Sequence, residues 1–159
     1  MSNLKIAATA ISGAGLTAAL LIATPVIQKW EGTRLDPYKD IVGINTVCTG
    51  ETRVTMRRYT PGECAAMLRR TLELDYAPAV LKAVPALGDR PNQFAAAISL
   101  TYNIGEVAFA RSTVARRFNA GDWRGGCDAF RMWVNAGGRR IQGLVNRRED
   151  ERRLCLKGL

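Results

Sequence analysis

Glu31, Asp40 and Thr46 are the residues whose types and spacing suggest a reaction. Hydrolysis of a glycosidic bond needs a protonated carboxylic acid beside the leaving oxygen and a second carboxylate across the sugar plane. Glu31 lies next to Trp30, where an apolar segment gives way to a Gly- and Thr-rich stretch, and Asp40 follows nine residues on at a turn. A helix end followed by a turning ribbon can hold two such groups on opposite walls of a cleft. The acid needs a raised pKa, which burial against Trp30 and a packed apolar helix would supply, while Asp40 should stay ionised. The Thr46 hydroxyl could hold the attacking water. Spacing alone leaves a second reading open, two solvated surface carboxylates, because a Glu and an Asp nine residues apart occur by chance in most proteins.

Other chemistries are narrowed by composition. The 159 residues contain no histidine, which removes Ser-His-Asp and Cys-His catalysis and any imidazole zinc site. Cys48, Cys64, Cys127 and Cys155 are widely spaced with no CxxC pair, so neither metal binding nor a thioredoxin-like redox site is expected. They read either as two disulfides, in one of three connectivities, or as small buried hydrophobes. A net charge of +9 implies attraction to polyanions, nucleic acid or the anionic bacterial envelope alike.

The elements that must position these residues follow from local signals. Residues 32–56, with turn signals at Asp36-Pro37, Gly43 and Gly50, read as an antiparallel ribbon of two or three strands. Thr60-Pro61-Gly62-Glu63 reads as a capping box, followed by Cys64, Met67, Leu68 and Leu72 on one helical face. A short helix over 78–84 closes at Pro85, and Pro91 opens another through Phe94, Ile98 and Tyr102 to about Gly105. Ser112 caps a helix that stops at Gly121, and Asp122 caps one carrying Phe130 and Trp133. Ala136-Gly137-Gly138 breaks the chain before a charged helix from about Gly143 to Lys157. The fold class is α+β, mostly helical, with one small antiparallel sheet near the start. Arg139, Arg140, Arg147, Arg148, Arg152 and Arg153 read as a solvated basic face, or as an envelope contact; Trp123 and Trp133 read as core.

Residues 6–28 carry no charge between Lys5 and Lys29, a length that could span a bilayer. The composition is weak for that purpose: eight large aliphatics are diluted by seven alanines, three threonines, Ser12, Gly13 and Gly15. Four readings compete: a cleaved signal peptide with Thr17-Ala18-Ala19 as a poor site, a permanent anchor, a reversible anchor that later packs on the domain, and a plain core helix. Flanking charge does not settle orientation, since Lys5 lies on one side and Lys29, Arg34 and Lys39 on the other.

Three separated blocks in order carry a family resemblance. Trp30-Glu31-Gly32, Pro37-Tyr38-Lys39-Asp40 and Gly43-Ile44-Asn45-Thr46-Val47-Cys48-Thr49-Gly50 resemble the active-site region of glycoside hydrolase family 24, the phage lysozymes, with their E-x8-D-x5-T spacing. Leu100 to Gly105 with Ser112-Thr113, and Phe130 to Gly138 with Gly143 to Glu149, resemble its central helix and its lambdoid-phage C-terminal signature. The resemblance covers about residues 30–157 and implies a lysozyme-like fold. It implies Glu31 as general acid, Asp40 as second carboxylate and Thr46 as the residue positioning water, in an inverting reaction on peptidoglycan. Asn45 departs from the aromatic residue often found before the threonine. Tyr38 and Asn103 are the candidate substrate contacts, and no metal or cofactor is implied.

The first 28 residues are similar to the signal-anchor-release (SAR) segments of certain phage endolysins, which favours the reversible anchor and divides the chain into 1–28 and a muramidase domain, 29–159. By that likeness the host secretion machinery threads the enzyme out, and residues 6–28 tether it in the inner membrane, facing the periplasm. A holin or pinholin then collapses the membrane potential and the segment escapes. Some relatives unblock a catalytic cysteine by disulfide exchange; with no cysteine in residues 1–28, this chain is not expected to. A basic nucleic-acid-binding protein is disfavoured for want of a recognition motif. A catalytically dead wall-binding relative and a small permanent membrane protein are two further rival readings.

Overall fold

The computed structural model describes residues 13–159, so the part of the 6–28 segment before Gly13 lies outside the described residues. Helix α1, Gly13–Glu31, runs unbroken past residue 28 to the carboxylate of interest. Its Ala19, Leu20, Ala23, Thr24 and Ile27 are buried, at the spacing of a single helical face. That face packs chiefly on α4 (Pro91–Ile104), whose Phe94 to Leu100 stretch is fully buried. Small side chains on both helices, Ala19 and Ala23 against a neighbour rich in alanine, permit close approach. The Thr24 hydroxyl donates to the Leu20 carbonyl (2.7 Å), so its burial leaves no donor unpaired. Pro25 sits inside α1 on its exposed side. Among the described residues no helix is long and apolar enough to cross a membrane.

After α1 the chain turns at Gly32 (φ +77°) into an antiparallel ribbon, β1 (Arg34–Lys39) and β2 (Asn45–Cys48). Tyr38 pairs with Thr46 and Lys39 with Asn45, which places Asp40 at the turn. The predicted capping box is present. Thr60 accepts from the Glu63 amide, Glu63 accepts from the Thr60 amide, and α2 (Pro61–Thr71) follows. Cys64, Leu68 and Leu72 are buried as the helical face requires. A disulfide from Cys48 to Cys64 fastens the ribbon to α2. Cys48 sits at φ +58°, a backbone region that side-chain-bearing residues seldom adopt.

α2 and the short helix expected over 78–84 are not separate. The first continues through a π-helical turn, Leu72–Tyr76, into α3 (Ala77–Ala83), so the ribbon lobe and the helical body share one rod. A 3-10 turn (Pro85–Asp89) leads to α4, and Gly105 (φ +88°) ends that helix. The short α5 (Glu106–Ala110) has no counterpart in the sequence reading. α6 (Thr113–Asn119) and α7 (Trp123–Asp128) are capped by Ser112 and Asp122 as expected. Phe130 lies on a 3-10 turn (Ala129–Met132) and Trp133 just beyond it, rather than on α7.

Two further expectations change. Gly137 and Gly138, both at positive φ, form the turn of a second hairpin, β3 (Asn135–Ala136) and β4 (Arg139–Arg140), so there are two small sheets rather than one. On α8 (Gln142–Cys155), Arg147 and Arg148 are buried, and the solvated-face reading fails for both. The cysteines resolve as disulfides Cys48–Cys64 and Cys127–Cys155, the pattern of an oxidising compartment.

Candidate active site

A cleft of about 410 Å³ opens between the end of α1, the ribbon and α4. Glu31, Tyr38, Thr49 and Tyr102 are among its lining residues. The Glu31 carboxyl is one-third exposed, and its Oε1 accepts from Arg147 Nη1 at 2.6 Å. The surroundings are therefore not the apolar pocket that the neighbouring Trp30 suggested. Trp30 is partly buried with Lys29 Nζ 5.0 Å from its ring centroid, and the carboxyl itself rests on a guanidinium.

Arg147 is in turn gripped from behind. Its Nε donates to Glu151 Oε1 at 3.2 Å and its Nη2 to the Ser99 carbonyl at 3.4 Å. Glu151 is fully buried; Ser99 Oγ (2.6 Å) and Arg148 Nη2 (3.0 Å) also donate to its Oε1. Arg148 Nε lies 2.7 Å from Glu151 Oε2 but off the hydrogen-bonding direction, so that contact is ionic only. Burial pushes the Glu151 carboxyl up and the Arg148 guanidinium down, the cost of taking both charges out of water. Mutual attraction and the converging donors offset that cost.

The other wall is shaped by Tyr102, whose hydroxyl donates to the Thr49 carbonyl at 3.0 Å and whose ring lies 5.0 Å from that of Tyr76. Burial, with Glu31 adding to it, pushes the Tyr102 phenol up, so it stays a donor at neutral pH. Gly50, beside that hydroxyl, turns the chain at φ +91°, a backbone region that glycine adopts freely. Tyr38 carries the Arg34 guanidinium 4.5 Å from its ring centroid.

Asp40 and Thr46 lie further along the ribbon, at its turn, and do not line this cleft. Asp40 Oδ1 accepts from the amides of Val42 and Ile44, each at 2.9 Å, and Oδ2 makes no hydrogen bond among the described residues. Gly43 (φ +83°) closes the turn by donating to the Asp40 carbonyl. Thr46 is buried, and its hydroxyl donates to the Ile44 carbonyl at 3.0 Å, leaving only lone pairs for another partner. Asn103 is exposed at the end of α4 and accepts from Arg148 Nη1 at 3.0 Å; it does not line the cleft. The structure thus brings Glu31 and Tyr38 into one cleft, sets Asp40 and Thr46 together at the ribbon turn, and places Asn103 in the arginine network.

Arg147, Ser99, Tyr102 and Glu151 were missed in the sequence. The visible signal was Glu151 standing three and four residues after two arginines, the spacing of helical ion pairs.

A ribbon joined to a helical body, with a carboxylate at the join and a polar cleft between, is the architecture of a lysozyme. The comparisons with known proteins carry this to a family. A model described as phage lysozyme matches residues 28–151, and the chain belongs to the phage lysozyme family. It is 40% identical to the SAR-endolysin of Enterobacteria phage P21, over 97% of this chain and 95% of that one. Among solved structures it is similar to the active form of the P1 phage endolysin Lyz, with TM-score 0.73 and 26% identity over 91% of this chain and 93% of that one. With the secreted inactive form of the same endolysin the TM-score is 0.55, at 22% identity over 89% and 94%. The chain is accordingly a glycoside hydrolase, a muramidase endolysin. It cuts the β-1,4 bond between N-acetylmuramic acid and N-acetylglucosamine in peptidoglycan and so serves host lysis.

Proposed function

We propose that Glu31 is the general acid of this muramidase, that Asp40 is its general base and that Thr46 helps to hold the attacking water. The observation that carries the reading is the placement of Glu31, at the end of a docked helix and on a cleft wall. Glu31 gives its proton to the glycosidic oxygen as the C1–O bond breaks. Asp40, through Oδ2, takes a proton from water as the water oxygen bonds to C1 from the opposite face. Sugar configuration inverts and the products are a free hydroxyl and a hemiacetal. With its own proton committed to Ile44, Thr46 can only accept from that water. Tyr38 offers a ring to the glycan. No metal or cofactor enters this scheme.

The same reading extends to control. Residues 6–28 tether the exported chain in the inner membrane on its periplasmic side, export relies on the host secretion machinery, and a holin or pinholin triggers release. Residues 1–28 act as the anchor and 29–159 as the muramidase domain, the two becoming continuous when α1 docks. While the segment is in lipid, Glu31, three residues past Gln28, is held at headgroup level and is absent from the cleft. Two observations support this: the buried face of α1 is made of that weakly apolar segment, and the backbone is more like the active form of Lyz than its inactive form.

The test is lysis of outer-membrane-permeabilised Gram-negative cells by the purified full-length chain and by Glu31→Gln. Lysis by wild type alone supports the assignment. Equal lysis by both means that charge, not hydrolysis, kills the cells, and Glu31 loses its role.

A further inference from the structure

We propose that α8 carries a two-point charged clamp for the end of α1, and that Arg147, Glu151 and Asp150 are positioning residues that set where Glu31 comes to rest. The proposal rests on the reading of Glu31 as the acid. α1 presents Lys29 and Glu31 at its last turn, two charges of opposite sign. α8 answers each: Asp150 pairs with Lys29, and Arg147 with Glu31 at 2.6 Å.

The need for such a clamp follows from the rest of α1. Its docking face is alanine, leucine and isoleucine with one threonine whose hydroxyl bonds within the helix, and apolar contact is non-directional. A smooth face of that kind fixes burial but only weakly fixes rotation and rise. A shift of one residue along the axis moves the helix end by about 1.5 Å and turns it by about 100°. Misplacement of a reacting group by 1 Å can cost about 100-fold in rate. Paired charges of opposite sense reject such shifts, because any slip brings Lys29 towards Arg147 or takes Glu31 away from it.

The cluster behind Arg147 gives the clamp its selectivity. Without Glu31, the Nη1 donor of the buried Arg147 has no acceptor. Glu31 Oε1 supplies that acceptor, a bond that a carboxyl bearing its proton can still accept. The helix end that finishes the fold is thus the one that carries the acid, and Ser99 and Glu151 hold Arg147 ready for it. Arg153 also reaches Asp150 and keeps that carboxylate ionised alongside Lys29.

The experiment measures kcat and KM on purified peptidoglycan sacculi, with Tm beside them, for the full-length chain and four variants, Glu31→Gln among them. Asp150→Lys places two cations together and lowers kcat about tenfold at unchanged KM; adding Lys29→Asp returns kcat to within about twofold of wild type. Arg147→Lys, whose ammonium is a point donor and cannot serve Glu31 and Glu151 together, lowers kcat about 100-fold, again with KM unchanged. A purely structural pair would instead move Tm down and back while the folded enzyme keeps its kcat, and that result overturns the clamp. The swap reports even if Arg147→Lys fails to fold. Unchanged kcat in these variants beside an inactive Glu31→Gln refutes the clamp alone. Activity retained in Glu31→Gln refutes the assignment of the acid.

Discussion

Enlarging Ala23 to leucine should hold the enzyme in the membrane. Ala23 is fully buried where α1 packs on α4, so a larger side chain has no room in the docked state. Extra methylenes in a well-packed core cost about 1–3 kcal/mol. The same leucine favours the bilayer by roughly 0.5 kcal/mol near the centre of a spanning helix. Both terms act in one direction, for a total of roughly 1.5–3.5 kcal/mol, or about 10- to 300-fold in the released-to-tethered ratio at 1.4 kcal/mol per decade. Leu21→Ala is the matched control, because Leu21 is 54% exposed in the docked helix. It should leave domain stability within about 0.5 kcal/mol and favour release by roughly twofold, from the lost bilayer term. The assay is fractionation of the expressed full-length chain between membrane and periplasm, with time of lysis recorded. If Ala23→Leu partitions like wild type, α1 does not exchange between lipid and the α4 surface, and the release scheme fails.

Three other outcomes are expected. The Glu63 carboxyl is held at about 2 by Arg57 and the Thr60 amide, so its cap contributes stability above about pH 4.5 that fades as pH falls toward 2. The urea midpoints of wild type and Glu63→Gln should therefore converge across that interval and stay apart at pH 7. Replacing Cys127 and Cys155 together by alanine should cost about 3.5 kcal/mol from the 28-residue separation they close, read as a lower Tm under oxidising conditions. Asp40→Asn should abolish hydrolysis while binding to sacculi in a pull-down stays unchanged; retained turnover would remove Asp40 from the reaction.

Local chemistry was the part of this fold legible in the sequence. The Thr60 to Glu63 cap, the Ser112 and Asp122 caps and the ribbon turn at Gly43 each depend on residues within four positions of one another. The places of Glu31 at a helix end and of Asp40 and Thr46 at a ribbon turn were legible from the same local signals, but not that the cleft lined by Glu31 leaves the other two outside it. Arg147 and Arg148 were misread because a basic run is usually solvated, and what buries these two comes partly from Glu31, 116 residues away from Arg147. The β3–β4 hairpin escaped because its strands are two residues long and only its glycines leave a mark. The π turn at Leu72–Tyr76 has no compositional signature at all, and it joins what looked like two helices.

Pro25 gives α1 a preference for one surrounding over another. A proline brings no amide proton, so the carbonyl of Leu21, one turn earlier, lacks the donor that an ordinary helix would supply. In the docked protein that carbonyl lies on the wet side of the helix, beside an exposed Leu21, where a water molecule can serve it. Seven residues in from Gln28, about 10 Å along the axis, the same oxygen would sit among acyl chains if the segment crossed a bilayer. Hydrocarbon offers it no hydrogen. One imino acid would thus leave the segment short of a donor in lipid, while water meets that need in the docked helix.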